Sequence, residues 1–266
     1  MGNDFIELKG GRFNPIPSIF TLCNAICGFT AIALVLGAHT RGMVIPPLAL
    51  WLIFAAMFFD VLDGLAARAL NAPSMHGMNL DSLADAISFG AAPALFIYAL
   101  GIHSVVAHTL PSVIVRLLAG LYLSCTLWRL AIYNTRTILG QEKETKVMFV
   151  GLPSPAAAAM ICCMVWLLPQ LVPAERAQFF VYVVYTLAAS LLMISTTPYP
   201  HLRNLIRKWP LWVLILLGIL AAGLVYKFSI VALIFVAHFY ILSTPVVDGI
   251  SRIKHKLHPR NSHSSS

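Results

Sequence analysis

Residues 60–85 read DVLDGLAARALNAPSMHGMNLDSLAD. The stretch holds four aspartates, Asp60, Asp63, Asp81 and Asp85, in a chain that is otherwise strongly apolar. A carboxylate at membrane depth costs about 2.5–3.5 kcal/mol at a helix centre on insertion scales, so such residues line polar cavities and carry function. Four carboxylates in one place need a cation to offset their mutual repulsion. The stretch therefore predicts an intramembrane cation site.

Composition sets the class of protein. Apolar residues make up 59% of the 266 residues and charged residues 11%, and the mean hydropathy is +0.83. Soluble domains have about 45–50% apolar and about 25% charged residues. The predicted fold class is therefore an all-α polytopic membrane protein, and the lack of a long polar stretch argues against a separate soluble domain.

Apolar runs bounded by helix breakers predict about eight transmembrane helices, each close to the ~20 residues that a bilayer requires. The candidate spans are 18–38, 44–70, 79–100, 112–134, 152–169, 177–196, 209–226 and 229–250. With a cytoplasmic N-terminus, fourteen of the eighteen Lys and Arg residues fall on the cytoplasmic side, as the positive-inside rule expects. The net charge of +8 thus reflects membrane orientation, and basic residues divided among short loops give no nucleic-acid site.

The second and third spans form a hairpin whose cytoplasmic end carries all four aspartates. Asp60 and Asp63 are three residues apart and Asp81 and Asp85 are four apart, so each pair lies on one helix face, within ~60° and ~40° of rotation. Two neighbouring helices are therefore expected to present four carboxylates to one pocket. The same topology places both termini in the cytoplasm.

The predicted pocket suits hard divalent cations. Mg²⁺ and Mn²⁺ prefer carboxylate and phosphate oxygens, whereas zinc favours His and Cys. Four carboxylates can hold two ions, and a two-metal site stabilises displacement at phosphorus. Small residues such as Gly64 and Gly77 allow a ligand to approach closely, and Arg68 offers a cation for phosphate. The chemistry indicated is phosphoryl or phosphatidyl transfer.

These positions resemble the signature of the CDP-alcohol phosphotransferase family. The matching residues are Asp60, Asp63, Gly64, Ala67, Arg68, Gly77, Asp81 and Asp85. The resemblance implies a membrane enzyme that moves the phosphatidyl group of a CDP-linked lipid to an alcohol and releases CMP. It implies that the first three aspartates bind metal, while Asp85 contacts metal and acts as the base. It also implies that Gly64, Ala67, Arg68 and Gly77 contact the CDP portion, and Ser18 and Thr21 are predicted to join them.

Residues 16–28, 80–94 and 151–158 resemble the membrane-embedded phosphatidylserine synthases within that family. The resemblance implies CDP-diacylglycerol and L-serine as substrates. Candidate acceptor-binding residues are Asn24, Arg129, Asn134, Lys146, Ser154 and Arg203. Interhelical hydrogen bonding is the other interpretation of the two asparagines, and membrane anchoring is the other interpretation of the two arginines.

Other functions stay open at this point. A phosphatidylglycerophosphate or phosphatidylinositol-phosphate synthase would carry the same signature. An ion-coupled transporter is the alternative of a different class, but transporters bind near the midplane with charges on several helices. Here the carboxylates occupy one hairpin at one face.

The expected organisation has four parts. Residues 1–15 form a cytoplasmic or interfacial segment, 16–200 a six-helix CDP-alcohol phosphotransferase core, 201–250 two additional transmembrane helices, and 251–266 a basic, Ser-rich cytoplasmic tail. The expected location is a bacterial-type cytoplasmic membrane with the active site on the cytoplasmic side. The family resemblance also implies a homodimer.

Overall fold

A computed structural model describes residues 15–39, 45–70, 75–103, 112–138, 148–172, 175–195 and 198–200. Within these ranges the chain is almost entirely helical. The helices are α1 (Pro15–His39), α2 (Pro47–Ala69), α3 (Met75–Asp85), a π-helical turn (Ala86–Ala91), α4 (Ala92–His103), α5 (Ser112–Ile138), α6 (Ser154–Leu171) and α7 (Glu175–Ile194). The first six predicted spans are thus confirmed as helices, and the spans predicted at 209–226 and 229–250 lie outside the described residues.

Four helical stretches are long and apolar enough to cross a membrane. They are Ile16–Ala38, Pro47–Ala67, Met75–Ile102 and Ser112–Ile138. The third stretch combines α3, the π-helical turn and α4 in one continuous rod. Helices α6 and α7 are also apolar, with shorter hydrophobic segments at Ser154–Gln170 and Phe180–Ile194. The helical membrane fold predicted from composition is confirmed at this level.

Helix α1 buries two polar side chains and exposes a row of large apolar side chains. The buried face includes Thr21, Asn24, Ala31 and Val35, and the exposed face includes Ile19, Leu22, Ile26 and Phe29. Both sets recur every three or four residues, so each occupies one side of the helix. In a soluble protein the apolar face would be buried. The exposed face therefore indicates contact with lipid, because lipid tails are as apolar as these side chains.

The π-helical turn interrupts the third membrane stretch directly after Asp85. Its end is marked by the backbone N–H of Ala92, which donates to Ile87 five residues earlier. Pro93 has no N–H for the carbonyl of Phe89, and the hydroxyl of Tyr122 on α5 donates to that oxygen at 3.0 Å. A backbone carbonyl in a membrane needs such a replacement partner. Tyr122 thus ties α5 to the turn.

Two three-residue strands, β1 (Met148–Val150) and β2 (Pro198–Pro200), pair antiparallel outside the helices. They join the segment before α6 to the segment after α7. Gly151 follows β1 with φ +86°, and a Cβ there would contact the backbone oxygen of Met193, so only glycine fits. The all-α prediction holds for the helical core and did not include this strand pair, which is too short to leave a periodic pattern.

Candidate active site

Three of the four aspartates meet in one acidic cluster. The carboxylate oxygens of Asp60 and Asp63 on α2 and of Asp81 on α3 all lie within 4.8 Å of one another. Asp63 is only 6% exposed, and the other two are half-buried. We call these three residues the aspartate triad. The predicted convergence of the two helices on one pocket is therefore seen in the structure.

Asp85 lies beside the aspartate triad rather than within it. It is the last residue of α3, it is 7% exposed, and the charges of Asp60, Asp81 and Asp63 all act on it. Its Oδ1 accepts a hydrogen bond from Nδ2 of Asn24 at 3.1 Å. The four carboxylates are thus divided into a group of three and a single carboxylate with its own amide donor.

Helix α1 forms a third wall of the site. It packs along α2 and also contacts α3 and the π-helical turn. The Thr21 hydroxyl, predicted to contact the CDP-lipid, donates to Oδ2 of Asp63 at 2.9 Å. Asn24, predicted to bind the acceptor, donates to Asp85. The hairpin of α2 and α3 is therefore only part of the site, because α1 supplies hydrogen-bond donors to two of the four aspartates.

Two of the predicted acceptor-binding residues, Arg129 and Asn134, lie on α5. The hydroxyl of Ser82, next to Asp81, donates to Oδ1 of Asn134 at 2.8 Å. Further along α5, Nη1 of Arg129 donates to Oγ of Ser154 at 2.8 Å. Ser154 is buried at the start of α6, so this pair joins α5 to α6. Helix α5 ends at Ile138 rather than at 134.

The other predicted residues are distributed as follows. Gly64, Ala67, Gly77 and Ser18 are half-buried near the ends of their helices. The backbone of Arg68 belongs to α2, and its side chain lies outside the described atoms. Lys146 and Arg203 also lie outside the described residues. Their roles stay predictions.

Two serines and a tyrosine of the site region were not predicted as functional. Ser82 bonds Asn134, Ser88 donates to the backbone oxygen of Asn24 at 2.8 Å, and Tyr122 bonds the π-helical turn. The turn itself has a sequence signal in Pro93, which cannot continue the regular hydrogen-bond pattern. Such π-helical insertions often occur at functional sites. The serines leave no comparable signal, because their partners are distant in sequence.

The aspartate triad fits a divalent cation. All of its ligand atoms are carboxylate oxygens, which Mg²⁺, Mn²⁺ and Ca²⁺ prefer. Their separations of at most 4.8 Å are compatible with a shared ion at about 2.0–2.6 Å from each oxygen. The Thr21 hydroxyl on Asp63 is a typical outer-shell contact, since ligating carboxylates are themselves hydrogen-bonded. The residues present can therefore hold a metal ion.

Fold and site together define a helical integral membrane protein with an acidic, divalent-metal type of centre at the junction of three helices. A family model described as CDP-alcohol phosphatidyltransferase matches residues 14–252. The chain belongs to the CDP-alcohol phosphatidyltransferase family, an integral membrane family that depends on divalent metal.

Several named proteins from other organisms are similar in sequence. CDP-diacylglycerol–serine O-phosphatidyltransferase of Bacillus subtilis is 35% identical over 191 residues, which cover 72% of this chain and 93% of that protein. The protein of the same name from Mycobacterium leprae is 35% identical over 184 residues, covering 69% of this chain and 57% of that protein. Archaetidylserine synthase of Methanothermobacter thermautotrophicus is 30% identical over 201 residues, with 75% of each chain covered. The similarity thus extends to both bacterial and archaeal relatives.

Proposed function

We propose that this chain transfers the phosphatidyl group of CDP-diacylglycerol to the hydroxyl of L-serine and releases CMP. The observation that carries the proposal is the division of the four signature aspartates into a metal-type triad and a separate, amide-bonded Asp85. A displacement at phosphorus needs both parts, a cation to offset phosphate charge and a base for the attacking hydroxyl. The names of the bacterial and archaeal relatives support serine as the acceptor.

Asp60, Asp63 and Asp81 would hold the divalent metal, and Asp85 would complete the ligand set if two ions bind. A bound Mg²⁺ or Mn²⁺ would offset charge on the diphosphate of the CDP-lipid. The Thr21 hydroxyl lies 2.9 Å from Oδ2 of Asp63 and 3.1 Å from the carbonyl oxygen of Pro17, and its bond to the carboxylate would orient Asp63 toward the metal. The half-buried Gly64, Ala67, Gly77 and Ser18, with Arg68, would contact the CDP portion, since small residues leave room for it.

Asp85 is the proposed base. The serine hydroxyl oxygen attacks the phosphorus attached to diacylglycerol and forms a new O–P bond as its proton passes to the Asp85 carboxylate. The bond between that phosphorus and the bridging diphosphate oxygen breaks, and its electron pair leaves with CMP. The proton on Asp85 then returns to water. The products are phosphatidylserine and CMP, and no further reactant is needed.

Arg129 is the proposed contact for the carboxylate of serine. A guanidinium recognises a carboxylate through paired N–H donors, and Arg129 is half-buried where α5 meets α6. Its bond to Ser154 orients the guanidinium. Asn134, Lys146 and Arg203 are further candidates for the same role. A phosphorylated acceptor such as glycerol 3-phosphate would need additional basic side chains to bind its phosphate. The number of basic side chains in the acceptor pocket therefore distinguishes serine from the phosphorylated acceptors.

The remaining topology belongs to the same proposal. We infer eight transmembrane helices, a core over residues 16–200 with two helices at 201–250, and an active site that faces the cytoplasm together with both termini. The excess of cytoplasmic Lys and Arg supports this orientation. Terminal reporter fusions should report the same side for both ends. The homodimer implied by the family resemblance should appear as a doubled protein mass in detergent light scattering.

The experiment for the proposed function is a CMP-release assay with an acceptor panel. Purified protein in detergent receives CDP-diacylglycerol, a divalent metal and one of L-serine, glycerol 3-phosphate, inositol phosphate or choline. We expect serine to be the only acceptor that supports the reaction, and CMP and phosphatidylserine should then form in equal amounts. CMP release with glycerol 3-phosphate or inositol phosphate, and none with serine, would show that serine is not the acceptor. Absence of CMP with every alcohol would overturn the transferase assignment.

A further inference from the structure

The side chain of Asn24 is fully buried between α1 and the aspartates. Its exposed fraction is 0%, and its Nδ2 donates to Oδ1 of Asp85 at 3.1 Å. Its Oδ1 is buried and has no hydrogen-bond partner among the described residues. An asparagine that only joined two helices would gain most by using both ends of its amide, because an unsatisfied buried oxygen costs free energy. The amide is therefore directed at Asp85 alone.

The backbone of Asn24 is also held by a hydrogen bond, from the π-helical turn. Ser88 in the π-helical turn donates to the Asn24 carbonyl oxygen at 2.8 Å. This contact needs a glycine at position 28, because a Cβ there would lie 2.6 Å from the Cα of Ser88. Backbone atoms cannot yield as the end of a flexible side chain can. Asn24, Gly28 and Ser88 thus form one unit, which we call the Asn24 anchor.

The Asn24 anchor contacts both the helix that carries Asp85 and the carboxylate of Asp85 itself. Ser88 lies three residues after Asp85 on the same continuous helix, so the contact with Gly28 sets how closely that helix approaches α1. The amide of Asn24 then engages the carboxylate itself. One oxygen of Asp85 is occupied by an N–H donor, and the other is left to receive a proton.

We propose that Asn24 is a positioning residue that holds the Asp85 carboxylate in the orientation for proton transfer, with Gly28 and Ser88 fixing its place. This role rests on the proposed function, because it takes Asp85 as the base. The sequence interpretation of Asn24 as an acceptor-binding residue predicts a different result. Loss of an acceptor contact raises the KM for serine, whereas loss of orientation lowers kcat.

The test compares steady-state kinetics of wild type, Asn24→Leu and Gly28→Ala. Leucine keeps the approximate size of the side chain but removes the N–H donor, and Gly28→Ala displaces Ser88 without touching the carboxylate. We expect kcat to fall about 10–100-fold in both variants, the range seen when an outer-shell partner is lost. The KM for CDP-diacylglycerol should stay at its wild-type value.

Gly37→Ala is the matched control. Gly37 lies on the same helix, and a Cβ there meets no atom within 4 Å, so its kcat should equal that of the wild type. Monodisperse elution of each variant checks folding. Undiminished kcat in folded Asn24→Leu, or a rise in the serine KM with unchanged kcat, would overturn the positioning role alone. A wild-type protein that releases no CMP would contradict the proposed function itself, and the role of Asn24 with it.

Discussion

At the scale of single residues, the site depends on which side chain donates to which aspartate. Asp63 receives the Thr21 hydroxyl and Asp85 receives the Asn24 amide, although 42 and 61 residues separate these partners. Sequence spacing predicted the aspartates and the helix faces that carry them, because such spacing is local. It did not predict these pairs, because contacts between helices are set by packing and leave no periodic signal.

Asp85→Asn tests the proposed base. The substitution keeps the size of the side chain but removes its ability to accept a proton. We expect kcat to fall about 10²–10⁴-fold, the usual contribution of a general base, while binding of CDP-diacylglycerol is retained. CMP release and binding of a labelled CDP-lipid are measured on the same preparation. Turnover near the wild-type rate would exclude Asp85 as the base.

Thr21→Val tests the hydrogen bond to Asp63. Valine keeps the branched shape and loses only the hydroxyl, so the triad loses one outer-shell partner. We expect the Mn²⁺ concentration for half-maximal activity to rise about 10–100-fold, and Thr21→Ser should restore it. Thr30→Val is the control, because the Thr30 hydroxyl bonds its own helix at the carbonyl of Ile26. An unchanged metal requirement in Thr21→Val would show that this bond does not support the metal ligands.

At the scale of helices, the apolar runs predicted the first six helical spans and their approximate bounds. The π-helical turn at Ala86–Ala91 was not predicted, because one additional residue in a helical turn scarcely changes the hydrophobic pattern. Ser18, Thr21 and Asn24 of α1 were predicted as substrate contacts, but the hydrogen bonds from Thr21 and Asn24 to the aspartates were not. The turn matters because it follows Asp85 directly and is tied to α5 by Tyr122.

Tyr122→Phe tests that tie. The substitution leaves the aromatic ring in place and removes the donor to the Phe89 carbonyl, which Pro93 cannot replace. We expect the free energy of unfolding in detergent to fall by about 1–3 kcal/mol. Tyr98→Phe is the control, since its hydroxyl has no hydrogen-bond partner among the described residues. Equal stability of the two variants would mean that the carbonyl finds another partner.

At the scale of the whole molecule, the composition predicted a helical membrane protein, and the apolar outer face of α1 agrees with it. The arrangement around the aspartates was only partly predictable. The signature indicated four carboxylates in one pocket, and the structure separates them into the aspartate triad and Asp85. The reason is that the hydrogen bond from Asn24 to Asp85 joins helices distant in sequence, which the spacing of the signature does not encode.

The most direct test of this account is the metal dependence of CMP release from CDP-diacylglycerol and L-serine. Protein treated with a chelator and freed of metal should release no CMP, and Mn²⁺ or Mg²⁺ should restore release in equal amounts with phosphatidylserine. Asp81→Asn, which removes one carboxylate from the triad, should not recover at the same metal concentration. CMP release that persists in metal-free protein would contradict the assignment of the aspartate triad as the metal site of a phosphatidyl transferase.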